Sequence, residues 1–259
     1  MKVLNYGSLN VDYVYSVDHI IVGGETQHSS KLEVFSGGKG LNQSIALAKA
    51  GVPVYHAGIV GTDGDILLEA CKEAGVNTKY IRRLPVKGGH TMIQVDKNAQ
   101  NCIILYGGTN QMQTKEFVDE VLADFGEGDY LILQNEINML DYIIDQAYEK
   151  KMKIVMNPSP FDDKLSTCDL SKVYLFLVNE IEGEQITGCK DKDQILDAMA
   201  ARFPNARFVL TLGSDGAVYY DGKEKVFQDI FKVKAVDTTA AGDTFTGYFI
   251  AAVIEGRSI

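Results

Sequence analysis

A chain of 259 residues with 46% hydrophobic content is long enough for one large α/β domain plus a small extra layer, and needs no second full domain. Its 25 basic residues against 35 acidic ones leave a formal charge of −10, which argues against a nucleic-acid or anionic-membrane surface. An anionic ligand would therefore have to be held by backbone donors, a few local cations and a metal ion, against a repulsive global field.

At the N-terminus, the strand-like run Val3-Leu4-Asn5-Tyr6 has no basic region followed by an apolar segment, so no signal peptide is expected. No apolar stretch approaches the roughly 18 residues of a membrane helix. Cys71, Cys102, Cys168 and Cys189 lack any C-x-x-C spacing. Neither a zinc site nor a disulfide framework is suggested, and a reducing cytoplasm fits.

Short apolar strands then alternate with helical patterns: strand 54–60, helices 63–74 and 114–124, strand 129–133, helix 139–150, strands 153–156 and 173–178, helix 191–203 and strand 207–211. Repeated βα units imply a mostly parallel sheet covered by helices. Ligands of such sheets sit beyond the carboxyl ends of the strands. Polar residues gather there: Asn10 and Asp12 after the first strand, then Glu136, Asn157, Asn179 and Gly213. Residues 13–35 and 90–106 break the alternation and read as antiparallel strands outside the main sheet. They form either a flap hinged near Gly23-Gly24 and Gly107-Gly108 or an edge hairpin with ordinary turn glycines.

Two glycine-rich helix starts carry the chemistry. Ser36-Gly37-Gly38-Lys39-Gly40-Leu41-Asn42 precedes a helical run, Gln43 to Ala50, and offers close backbone approach together with donors on Lys39 and Asn42. It matches neither the nucleotide P-loop nor the dinucleotide G-x-G-x-x-G turn, which disfavours a Rossmann dehydrogenase. Near the C-terminus, Val236-Asp237-Thr238-Thr239-Ala240-Ala241-Gly242-Asp243 leads into the apolar run Phe245, Tyr248, Phe249, Ala252 and Val253. Small residues there let backbone N–H groups converge on an anion at a helix start. The Asp aimed into that spot is either a proton acceptor for an attacking hydroxyl or a simple helix cap. His19, His28, His56 and His90 share no metal spacing and read as surface or lid packing. The acidic run from Asp191 to Asp197 reads as a solvated helix face.

Taken together and in order, these segments resemble the ribokinase family of sugar kinases, the PfkB type. The resemblance runs through Gly7-Ser8-Leu9-Asn10-Val11-Asp12, Gly37 to Asn42, Gln134-Asn135-Glu136, Asn157-Pro158-Ser159-Pro160, Asn179-Glu180-Ile181-Glu182, Thr211 to Gly216 and Asp237 to Asp243. It implies a three-layer αβα fold with a mostly parallel sheet and a small β lid formed by residues 13–35 and 90–106. The activity it implies is ATP-dependent phosphorylation of a sugar hydroxyl, with D-ribose as the expected acceptor. The alternatives are another small sugar or nucleoside, or a truncated non-catalytic sugar-binding remnant.

By the same resemblance, Asp243 is the base, and Ala240, Ala241 and Gly242 supply the anion hole. Asn10, Asp12, Gly38, Lys39, Asn42 and Glu136 hold the sugar. Asn179, Thr211, Gly213, Ser214, Gly216 and Gly242 bind the nucleotide. Glu182 handles Mg²⁺ indirectly, and Asp237 and Thr239 hold an activating monovalent cation such as K⁺. A homodimer through the lid is expected. Because the chain stops at Arg257-Ser258-Ile259, the last helices of the family fold are expected to be missing, which would leave Tyr248, Phe249 and Val253 uncovered.

Overall fold

Continuous apolar runs such as Tyr130-Leu131-Ile132-Leu133 cannot face water on either side, and they form the middle of a nine-stranded sheet. The computed structural model describes residues 1–234 and 238–258. Its strands are β1 (Val3–Tyr6), β2 (Asn10–Ser16), β3 (Lys31–Gly37), β4 (Val54–Val60), β5 (Asn77–Arg83), β6 (Gly89–Val95), β7 (Asn101–Tyr106), β8 (Tyr130–Gln134), β9 (Lys153–Asn157), β10 (Leu175–Asn179), β11 (Arg207–Thr211), β12 (Ala217–Tyr220) and β13 (Lys225–Gln228). The helices are α1 (Lys39–Lys49), α2 (Asp65–Ala74), α3 (Lys115–Leu122), α4 (Leu140–Glu149), α5 (Glu180–Thr187), α6 (Lys192–Arg202) and α7 (Ala241–Ile254).

The large sheet has the order β13-β12-β11-β10-β9-β8-β1-β4-β5. From β11 to β5 every neighbouring pair is parallel; only the β11–β12 and β12–β13 pairings are antiparallel, so β12 alone runs against the rest. One face buries Leu131, Leu133 and Phe176 under Phe117 of α3, Ile143 of α4, Ile186 of α5 and Met199 of α6. The other buries Ile132, Val155 and Leu177 under Leu41 and Leu47 of α1, Leu67 of α2 and Ile250 of α7. This is the three-layer αβα arrangement expected from the alternation of elements.

The second sheet, β3-β2-β6-β7, is formed by the segments expected to make the lid. Its outer pairs, β2 with β3 and β6 with β7, are antiparallel as expected, but the central pair β2–β6 is parallel. The reason is topological: β2 and β6 are the outgoing strands of two separate excursions, and β3 and β7 are the returns. The expected hinges need correction as well. Gly23 and Gly24 sit in the long connection at the far end of β2 and β3, with open space around them. Gly108 does lie at the lid junction, but at φ 50° it is packed on the Gly88–Gly89 backbone, where a Cβ would come within 2.5 Å of the Gly88 carbonyl.

Several elements differ from the sequence expectation. Helix α7 starts at Ala241, four residues before its apolar run, and α5, β5, β12 and β13 were not foreseen. In α7, Phe249 and Val253 are half-buried: Phe249 stacks on Phe245 and lies 6.5 Å from Tyr219, and of the three residues expected bare only Tyr248 is exposed. His56, expected at the surface or in the lid, is wholly buried beside Ser44 of α1. Asp191 caps α6, while Asp193 and Asp197 both pair with Lys225 at the sheet edge.

Helices α1 and α7 cross closely because residue 247 is glycine. A Cβ at Gly247 would collide with Ala46 and come within 2.9 Å of the Leu47 amide nitrogen. Gly247→Val is expected to destabilise the protein by about 1–3 kcal/mol through overpacking, which thermal denaturation checks.

Candidate active site

The site begins where α1 is pressed onto the turn between β1 and β2. A Cβ on Gly40 would come within 2.7 Å of the Gly7 Cα, so the contact requires glycine. The helix start then bonds directly to the turn. Leu41 N–H donates to the Ser8 carbonyl at 3.0 Å and Gly40 N–H to Ser8 Oγ at 3.2 Å. The next donors reach Glu136 at the end of β8: Lys39 N–H lies 3.0 Å from Oε2, which also accepts from Ser8 Oγ. A carboxylate is favourable at a helix N-terminus. Burial nonetheless pushes the Glu136 carboxyl above its ordinary range, opposed by the Ser8 and Lys39 bonds and the Lys39 charge, and assisted by the nearby charge of Asp243.

Strand β2 carries Asn10 and Asp12 from the large sheet into the lid. Asp12 Oδ1 accepts from Thr91 Oγ1 of β6 at 2.5 Å, and its other oxygen lies against Gly37, where a Cβ would collide with it. Burial raises Asp12 as well, with the Thr91 bond opposing. Asn10 Oδ1 accepts from Asn110 Nδ2 at 2.7 Å. Asn110 is fixed in turn by the Leu9 backbone, whose N–H donates to its Oδ1 at 3.0 Å and whose carbonyl lies 3.3 Å from its Nδ2. Sequence reasoning missed Asn110; its signal was a polar residue directly after the lid glycines.

At the start of α7, Asp243 is 6% exposed. Its Oδ2 lies 3.3 Å from Asn42 Nδ2 and its Oδ1 accepts from Gln43 Nε2 at 2.9 Å. It faces a narrow cleft lined also by Lys39, Asn157, Asn179, Glu182, Thr211, Gly242 and Thr246. Of the strand-end residues expected at one edge, Asn157 and Asn179 meet in this cleft, and Lys39 links it to Glu136: its backbone holds Glu136 while the residue lines the cleft. Among the described residues its ammonium pairs with no carboxylate, which leaves it available to an incoming anion.

Other expected residues fall into place unevenly. Ala240 adopts φ 55°, and the Ala241 N–H donates to the Thr238 carbonyl at 3.1 Å. Of the three expected anion-hole donors, the Ala241 one is therefore engaged inside the turn, and Gly242 is the one of the three that lines the cleft. Asn179 and Glu182 form a reciprocal cap at the start of α5: Glu182 N–H donates to Asn179 Oδ1 at 2.8 Å, and Asn179 N–H and Nδ2 each donate to the Glu182 carboxylate at 3.1 Å. Gly213 and Ser214 are exposed on the turn after β11, whereas Gly216, at φ 101°, is packed on the Gln228 carbonyl and shapes the turn instead of opening toward the cleft. Thr239 is exposed, and Asp237 lies outside the described residues.

No group of three or more His, Cys, Asp or Glu side chains able to hold a metal occurs among the described residues. The cleft offers the Glu182 carboxylate and the Asn179 side chain, a donor set that suits Mg²⁺ carried in with substrate phosphates better than an all-protein cage.

A buried, hydrogen-bonded carboxylate thus faces a cleft whose lysine, at a glycine-rich helix start, pairs with no carboxylate among the described residues, an arrangement compatible with phosphoryl transfer. The sequence pattern of the pfkB family carbohydrate kinases matches residues 1–259, and the chain belongs to that family. A ribokinase of Haemophilus influenzae is 33% identical over 265 residues, covering 97% of this chain and 85% of that protein. A ribokinase of Staphylococcus aureus is 34% identical over 260 residues, covering 96% and 85%. The structure of Arabidopsis thaliana ribokinase complexed with ribose and ATP superposes with a TM-score of 0.85 at 27% identity, covering 99% of this chain and 87% of that one.

The raised Glu136 carboxyl has a consequence for stability. An acid whose folded pKa lies above its unfolded value is stabilising in its protonated form, and that contribution is lost as pH rises from the unfolded value, about 4.3, through the folded one. Above the folded value the ligand-free protein carries the penalty of holding the buried charge. Glu136→Gln keeps an oxygen for Ser8 and Lys39 and is expected to leave Tm at pH 7 unchanged or higher, with the gain over wild type vanishing below about pH 4. Thermal melts across pH check this.

Proposed function

We propose that this chain transfers the γ-phosphoryl group of ATP to the primary hydroxyl of D-ribose, giving ribose 5-phosphate and ADP. The observation that carries this reading is Asp243: a buried carboxylate on the first turn of α7, flanked by two amide donors and facing the cleft that Lys39, Asn179, Thr211 and Gly242 line. Asp243 takes the proton of the attacking hydroxyl as the new O–P bond forms and the bond to the ADP leaving group breaks. The α7 start, through the Gly242 N–H, offers a fixed donor to charge on the transferred group, and Ala240 and Ala241 shape that turn.

The sugar is held by residues whose orientation is already fixed. Asp12 and Glu136 are acceptors for hydroxyl protons, Asn10 and Asn42 present amides, Lys39 adds a cation, and Gly38, at φ 95°, lets the ring approach the backbone. Asn179, Thr211, Gly213 and Ser214 bind the nucleotide, and Gly216 keeps their turn in shape. Mg²⁺ bound with the ATP phosphates, near Glu182, neutralises charge during transfer. Asp237 and Thr239 are the residues for an activating K⁺. The lid closes over the sugar and excludes water, which limits hydrolysis of ATP.

The lid also supports association between copies. The face turned away from Asp12 exposes Leu32, Val34, Ile104 and Tyr106, each at least 42% accessible, and such a concentration of apolar surface suits a homodimer formed lid to lid.

ADP release in the presence of ATP, Mg²⁺ and K⁺ across ribose, deoxyribose, fructose, adenosine and 2-keto-3-deoxygluconate tests the substrate. Turnover selective for ribose is expected; selectivity for another acceptor, or sugar binding without turnover, overturns the assignment. Asp243→Asn is expected to lower kcat at least 1,000-fold, about the effect of losing a general base with its positioning, while sparing sugar affinity. Asp12→Ala is expected to raise the ribose KM by more than tenfold, about 1.4 kcal/mol or more for a lost charged hydrogen bond, and the ATP KM little; an equal rise in both removes Asp12 from the sugar site.

A further inference from the structure

Behind Asp243 runs a chain of buried amides that none of the roles above requires. Gln43 is wholly buried, and its Nε2 donates to Asp243 Oδ1 at 2.9 Å and lies 3.4 Å from Asn157 Oδ1. Its Oε1 accepts from Gln134 Nε2 at 2.7 Å. The other proton of Gln134 Nε2 goes to Asn5 Oδ1 at 3.0 Å, and Asn5 Nδ2 donates to the Gly40 carbonyl at 2.8 Å and Ser44 Oγ at 2.9 Å. Gln134, Asn5 and Ser44 are wholly buried too. Ser44 in turn bonds to His56 Nδ1 at 2.8 Å, and burial pushes that imidazole down to about 4, so the far end of the chain is uncharged at neutral pH.

The polarity of this chain is fixed by chemistry. A primary amide has two donors on one atom and its acceptor on the other. Both protons of Gln134 are committed, so Gln43 presents oxygen to Gln134 and its NH₂ to Asp243. Flipping Gln43 would set an amide oxygen against the carboxylate and two NH₂ groups against each other. A buried polar network is costly, the more so here because Gln134 Oε1 and His56 Nε2 have no hydrogen-bond partner among the described residues. It meets the cleft at Asp243 and, more weakly, at Asn157.

We propose that Gln43, locked by Gln134, is a positioning residue for the proposed base: it pins Asp243 Oδ1 and leaves Oδ2 turned to the acceptor hydroxyl. Among the described residues Oδ2 has only the 3.3 Å contact with Asn42, which an incoming hydroxyl can share. A general base works only in the rotamer that reaches the proton, and misplacement by about 1 Å costs on the order of 100-fold in rate. This inference rests on the reading of Asp243 as the base.

Two variants test it. Gln43→Leu removes the donor at nearly constant volume and is expected to lower kcat by about 10–100-fold while changing the ribose KM less than about threefold. Gln43→Glu keeps an oxygen for Gln134 but sets a second carboxyl on Asp243. Like charges at this distance cannot both ionise freely, so the acid limb of kcat is expected to move up by about one pH unit or more. The other charged groups around Asp243, which are Lys39 of α1, Glu136 after β8 and Glu182 of α5, are the same in wild type and variant, so the displacement reports the new pair. Gln134→Leu, which does not touch Asp243, is expected to lower kcat in the same direction. A merely structural role would lower Tm and the active fraction while leaving kcat per folded molecule of Gln43→Leu and Gln134→Leu unchanged.

Folded Gln43→Leu and Gln43→Glu proteins with kcat within twofold of wild type and an unmoved acid limb overturn the proposal. If Gln43→Leu does not fold, Gln43→Glu alone decides. Asp243→Asn retaining turnover overturns instead the base assignment beneath it.

Discussion

The close crossing of α7 over α1 is the constraint on which the site depends. Gly247 lets the two helices approach until Ala46 and Leu47 fill the space a side chain would need. That approach brings the first turn of α7 against the first turn of α1, and so sets Asp243 beside Asn42 and Gln43, 200 residues away in sequence. The apolar contacts of Ile250, Leu41 and Leu47 under the same sheet face hold the arrangement. Hydrophobic packing supplies the energy, while the hydrogen bonds to Asp243 give the carboxylate its direction.

The same logic repeats at the very start of α1. Gly40 allows its helix start to rest on the Gly7–Ser8 turn, which aims Lys39 N–H and Ser8 Oγ at Glu136. Asp12 is enclosed by Gly37 and Thr91 where β2 leaves the large sheet. Burial disfavours the charged form of both acids. Their few hydrogen bonds only partly offset this, so they stand as under-satisfied acceptors. Such groups destabilise a protein that has no ligand and gain most when a polyhydroxylated one arrives.

How far the site could be read from the sequence followed from locality. The sheet was legible because β4, β8, β9 and β11 are apolar runs bounded by turns, and the helices between them show clear periodicity. The glycine-rich starts of α1 and α7 were legible because a positive φ or a close backbone approach leaves a local mark. Helix α5 was not, since Glu180–Thr187 is short and polar and contains Gly183, which is required because a Cβ there would come within 2.7 Å of Ile195 on α6. The parallel β2–β6 pair was hidden because it joins two excursions about 80 residues apart, and pattern alone does not set strand direction. The buried roles of Gln43, Gln134 and Asn110 were not legible because a buried amide looks like any surface amide until its partners, 91 to 200 residues away, are placed beside it.

The most direct test of this account is a crystal structure of the chain with D-ribose and a non-hydrolysable ATP analogue. The account predicts the sugar's primary hydroxyl within hydrogen-bond distance of Asp243 Oδ2, about 2.6–3.2 Å, with Gln43 still on Oδ1, Asp12 and Glu136 on the other hydroxyls, and the terminal phosphate at Gly242. A sugar bound with that hydroxyl turned away from Asp243, or phosphates lying outside the cleft between Lys39 and Gly242, would contradict it.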